Sequence, residues 1–123
     1  MQYALLIYEN EALYRGGDGR ALQEIIAAHQ ALAGELAAKG ILKGGSGLKT
    51  ADTATTVRKT GGQHALHDGP YAEAREQLGG FSIWSRSRTW TRPWPSPGAV
   101  PLAGDGAVEV RPVIDEDWKC SIP

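Results

Sequence analysis

Asp68-Gly69-Pro70-Tyr71-Ala72-Glu73-Ala74-Arg75-Glu76-Gln77-Leu78-Gly79-Gly80-Phe81 constrains the fold of this chain more than any other stretch. Gly69 and Pro70 force a turn, and Pro70 suits the first position of a helix. Ala72 to Leu78 is helix-favouring and charged, which predicts about two helical turns. Gly79-Gly80 is expected to end that helix and to permit close packing. Strand-like residues flank the run, Gln63 to His67 before it and Phe81 to Trp84 after it.

The rest of the chain shows a similar alternation. Tyr3 to Tyr8 is apolar between polar neighbours, as a central strand would be. The glycine-rich stretch from Glu9 to Gly19 reads as a loop, with Asp18 placed to cap the next element. From about Arg20 to Lys39, Leu22, Ile25, Ile26, His29, Leu32, Ala33 and Leu36 recur at three- and four-residue steps. That spacing predicts one long helix with an apolar stripe, stopped at Gly40. Gly34 either weakens its interior or marks a close approach to a strand.

Ile41 to Leu48 begins as a strand and turns glycine-rich. Gly44-Gly45-Ser46-Gly47 is a poor phosphate loop, because neither a Gly-Lys-Ser/Thr ending nor a helix pattern comes after it. Thr53 to Arg58 and Gln63 to His67 flank Gly61-Gly62 and predict a hairpin. Val108 to Val113 alternates as a last strand should.

At 123 residues the chain suits one domain, taken as 1–123 with a tail from residue 114. Net charge is −1 and no Lys/Arg block stands out, so a nucleic-acid partner is not expected. The apolar N-terminal run is too short to span a bilayer and lacks a basic leader, so no membrane association is expected. The single cysteine, Cys120, has no intrachain partner and no metal-ligand spacing, which fits a cytoplasmic setting. His64 and His67 lie three apart on a strand and face opposite sides, so a two-histidine metal site is not expected there. The sequence carries no Ser-His-Asp order, zinc spacing or dinucleotide fingerprint, so no metal and no cofactor is expected.

Two residues stand out as candidates for chemistry. His29 interrupts the apolar stripe of the long helix. A histidine there is either a hydrogen-bonded packing residue or a general base tuned near neutrality. Asp68 is either a turn or helix cap, or a carboxylate at a strand end that orients His29 or acts on a substrate. Glu73 and Gln77, four apart, would share a helix face, solvated by default.

The Asp68–Phe81 run resembles the DGPF motif of the YCII-related family, with Tyr71 where a phenylalanine is usual. The resemblance covers residues 1–81 and about 101–113. It implies an α+β fold, a ferredoxin-like antiparallel sheet with helices on one face, paired with a second copy into a dimeric α+β barrel. A histidine at the place of His29 belongs to the family's proposed site, whereas the acid partner often comes from a segment other than that of Asp68. The resemblance implies a small-molecule enzyme without a cofactor, using histidine acid/base chemistry, since one relative is a dehydrochlorinase acting on a chlorinated aromatic. The alternative is a non-catalytic ligand-binding or regulatory homodimer, since relatives often neighbour extracytoplasmic-function sigma-factor genes.

Residues 82–100 depart from that family. Trp84, Trp90 and Trp94, Arg86, Arg88 and Arg92, and Pro93, Pro95 and Pro97 crowd together, and the alternating prolines exclude a helix. Family members carry a strand and an amphipathic helix here, opening on Asp-Leu-Asp or similar. Regrouping the codons implied by Arg88 to Trp94 from the third base of Arg88 permits Asp-Leu-Asp-Ala-Ala-Leu. Two compensating frame slips are therefore expected, in the gene or in its reading; the other reading is a genuine proline-rich excursion. With the residues as they stand, the second helix is absent and one sheet face is expected to lose its cover, the exposed apolar area favouring association or instability. Resequencing the DNA across this window should find wobble bases that encode the alternative frame. Wobble bases that cannot encode it would leave the excursion as the explanation.

Overall fold

The computed structural model describes residues 1–15, 18–86, 94–102 and 104–114. Strand β1 (Gln2–Glu9) leads through a short 3-10 turn (Glu11–Tyr14) into helix α1 (Arg20–Ala38). Strand β2 (Leu42–Gly47) and a second 3-10 turn (Ala51–Thr53) come next. Then come β3 (Thr55–Thr60), β4 (Gln63–Asp68), β5 (Gln77–Ser85), a third 3-10 turn (Pro97–Ala99) and β6 (Gly106–Pro112). Four strands form an antiparallel sheet in the order β2-β5-β1-β6, and β3 and β4 form a separate two-stranded sheet. This is the α+β, ferredoxin-like arrangement expected, with one helix among the described residues.

β1 is central because its alternation suits a strand with neighbours on both sides. Leu5, Ile7 and Glu9 are buried, and the residues between them are half-buried. The core joins Leu5 and Ile7 to Leu36, Ile41, Trp84 and Val100. α1 runs as its periodicity predicts. Asp18 bonds the Arg20 amide at 3.0 Å, from one residue before the Gly19 cap position. At the other end Gly40, with φ of 73°, turns the chain so that the Ile41 amide bonds the Leu36 carbonyl at 2.9 Å. The first half of the stripe is less buried than its pattern suggests, and Leu22 and Ile26 are exposed. A Cβ at Gly34 would meet nothing within 4 Å, so this glycine marks no close approach to a strand.

The glycines of β2 have a structural reason. Gly45 has φ of 152°, and a Cβ there would lie 2.6 Å from the Phe81 carbonyl oxygen of β5. The glycine run is thus a strand pressed against its neighbour. Gly61 and Gly62, with φ of 57° and 81°, form the β3–β4 turn as expected.

Two expectations fail. The helix over Ala72–Leu78 does not form: residues 71–76 are bends and coil, and β5 begins at Gln77. The Gln77 side chain donates to the Ala72 and Ala74 carbonyls at 2.9 and 3.0 Å, occupying acceptors that a helix gives to its own amides. Two turns carry the full nucleation cost. Gln77 to Gly80 instead gain ladder bonds to β1, and Gly79-Gly80 lie within the strand at its bulge opposite Ile7 and Tyr8.

Nor is the helix-side face of the sheet left bare. Trp94 packs against Tyr3 and Trp84, with ring centroids 5.4 Å away in each case, and donates to the Ser85 carbonyl at 3.0 Å. Val100 is buried and Leu102 packs beside it. The heart of the proline-rich stretch, 87–93, and the tail from 115, with Cys120, lie outside the described residues.

Leu5→Ala should cost ~2–5 kcal/mol of unfolding free energy, as a fully buried leucine does. Gly45→Ala should cost ~1–3 kcal/mol through the clash with Phe81. Urea denaturation measures both.

Candidate functional site

The inward face of β1 changes from apolar to acidic at its C-terminal end. Glu9 continues the parity of Leu5 and Ile7, and Glu11 comes next at the start of the 3-10 turn. Both are more than nine-tenths buried. Buried carboxylates need donors. The Tyr14 hydroxyl donates to Glu9 Oε2 at 3.0 Å, while Glu9 Oε1 has no partner among the described residues. Glu11 accepts the Ala51 amide on both oxygens, at 3.0 and 2.9 Å, and lies 3.8 Å from the Arg15 guanidinium. Glu11 thereby ties the first 3-10 turn to the second, across forty residues of sequence.

Those ties shape an open cleft of about 350 Å³ at the end of the sheet where the β3–β4 hairpin departs. Its walls include Glu11, Asp52, Asp68 and Glu73, with Arg15 and Arg75. Four carboxylates against two guanidiniums leave a formal surplus of two acidic groups. Hydrogen bonding from the Thr50 side chain, against a smaller opposing effect of desolvation, holds Asp52 below the usual carboxylate range. Burial, then the bond to Glu9 and the negative charge of Glu9 and Glu11, pushes the Tyr14 phenol well above its ordinary value.

Asp68 ends β4 opposite Thr55 and lines the cleft. The turn after it is fixed by Gly69, whose amide bonds the Ala54 carbonyl at 2.7 Å and whose carbonyl accepts the Thr56 hydroxyl at 2.8 Å. His29 sits half-buried in the middle of α1, with no side-chain hydrogen bond among the described residues, and it is not among the residues walling the cleft. His29 is thus not part of the wall that Asp68 helps to form. His64 and His67 face opposite sides of the hairpin, paired with Lys59 and Thr56. Among the described residues no group of three or more His, Cys, Asp or Glu is placed to hold a metal ion, and no helix is long and apolar enough to cross a membrane.

Sequence pattern alone does not single out Glu9, Glu11 or Tyr14, because the glycines of 9–19 mark that stretch as a loop. The available signal was parity: the alternation that buries Leu5 and Ile7 buries Glu9 as well.

A ferredoxin-like α+β domain with an acidic cleft at the strand ends defines the class of protein. The family model for the YCII-related domain matches residues 1–119, and the chain belongs to that family. Among curated proteins none matches the chain in sequence.

Tyr14 should ionise at a pH above that of a free tyrosine in an alkaline titration followed at 295 nm, read as the difference between wild type and Tyr14→Phe. Its folded value lies above its unfolded one. Its contribution to stability is therefore complete below pH ~10 and declines as pH rises beyond that. Tyr14→Phe should flatten this decline. It should also cost ~1–3 kcal/mol at neutral pH, by leaving Glu9 without its donor.

Proposed function

We propose that this protein is a cofactor-independent homodimer that binds a small polar molecule in the cleft at Asp68. The observation that carries the reading is the cleft itself: four carboxylates converge on about 350 Å³, with Glu11 held in the wall by Ala51. A surplus of negative charge favours a ligand rich in hydrogen-bond donors or carrying positive charge. The homodimer is supported by the sheet face opposite α1, where Leu78 and Phe81 are exposed and Leu6, Tyr8 and Ile83 half-buried. An antiparallel sheet with its helix on one side gains by burying such a face against a second copy. Regulation linked to sigma-factor signalling fits this binding reading.

Catalysis is the second reading, with His29 as acid/base and Asp68 as its partner or as the group acting on substrate. The half-buried His29, free of side-chain hydrogen bonds among the described residues, favours it, because an imidazole so placed has both nitrogens open to a partner. It requires the two side chains to approach within about 3 Å when ligand binds.

A thermal-shift screen of small amines, amino acids and neutral polar metabolites should find a stabilising ligand whose effect is lost in Asp68→Asn. Loss of turnover in His29→Gln with binding retained would select the catalytic reading. A screen in which Asp68→Asn responds as the wild type does would contradict a ligand at this cleft.

A further inference from the structure

The β3–β4 hairpin is poorly supported by its own chain. All its residues are exposed except the half-buried Thr56, although an isolated two-stranded hairpin is marginal in water. Its two faces differ. The face of Thr56, Arg58 and His67 is contacted by Gly69 and Tyr71 of the following segment, though only Thr56 is half-buried by it. The Arg58 guanidinium lies 4.8 Å from the Tyr71 ring and donates to the Tyr71 carbonyl at 3.3 Å, and Thr56 bonds Gly69. The other face carries the cross-strand pair Val57–Leu66, 55% and 76% exposed.

Charge along that free face is asymmetric. Lys59 and His64 pair at the tip end, Val57 and Leu66 at the middle, and Thr55 and Asp68 at the base. A face that is basic at one end, apolar in the middle and acidic at the other is self-complementary when two copies stack antiparallel. The area needed for a dimer points the same way. Four strands spaced ~4.8 Å apart and rising ~3.3 Å per residue give the bare sheet face about 450 Å² in projection. Only its middle is apolar, and a stable dimer buries about 800 Å² per partner. One face of the hairpin adds about 200 Å² by the same spacing.

We propose that the β3–β4 hairpin is a dimerisation arm. The Val57–Leu66 face of one copy packs antiparallel on the same face of the second, with Lys59 beside Asp68 of the partner subunit. The inference rests on the dimer proposed for this chain and adds to it an element that enlarges the interface towards the size a stable dimer needs. It also sets the tip of each arm at the mouth of its neighbour's cleft, since Asp68 belongs to both.

Sedimentation equilibrium of the full chain tests this. The wild type should sediment at twice its 13.1 kDa mass. Leu66→Glu, on an exposed site with no folding role, should weaken the dimer at least tenfold. Gln63→Lys, on the opposite face, should leave it unchanged. Lys59→Glu should weaken association, and Lys59→Glu with Asp68→Lys should regain it. A monomeric wild type overturns the dimer reading and this inference with it. A dimeric wild type indifferent to Leu66→Glu overturns the arm alone. A dimer weakened by Leu66→Glu but not restored by the charge swap overturns the antiparallel stacking.

Discussion

The carboxylate of Glu11, buried against the Ala51 amide, is the interaction on which the cleft end of this molecule depends. It joins the exit of β1 to the turn leading into the hairpin, segments forty residues apart. A buried charge held by one amide and a distant guanidinium persists only where those donors are kept in place. The same strand that builds the core thus also builds the cleft. Leu5 and Ile7 face apolar neighbours, and two residues further on the inward position is filled by Glu9 and its tyrosine.

This explains why the cleft lies at the strand ends. Along β1 the sheet is closed by α1 on one side and by Trp94, Val100 and Leu102 packed beside it. Beyond Glu9, among the described residues, no buried apolar side chain of β1 continues the core, and the two 3-10 turns and the 68–77 segment fold round a space lined by charge. The hairpin departs from this end because β2 and β5, which it connects, are neighbours there, Gly47 opposite Gly80. Cleft and arm are two consequences of one topology.

Where local chemistry and tertiary demand agreed, the sequence was sufficient. β1, α1 with its Gly40 stop, the Gly61-Gly62 hairpin and β6 lie where pattern and turn residues place them. Where they competed, tertiary pairing won. Ala72 to Leu78 has good helix formers, but ladder partners on β1 and the capping of two carbonyls by Gln77 outweigh two isolated turns. Asp68 was legible because a turn and a strand end meet at it. Glu9, Glu11 and Tyr14 were not, because glycine content masked the parity that carries Glu9 inward. That His29 lies outside the cleft wall was also beyond local reading, since it depends on how a helix lies across a sheet.

Amide hydrogen exchange at Ala51 tests the central tie most directly. If Glu11 holds this turn, the Ala51 amide exchanges far more slowly than an unstructured amide in the wild type, and approaches the unstructured rate in Glu11→Ala while the β1 amides stay protected. An Ala51 amide that exchanges at the unstructured rate in the wild type, or that is equally protected without the Glu11 carboxylate, would contradict the account.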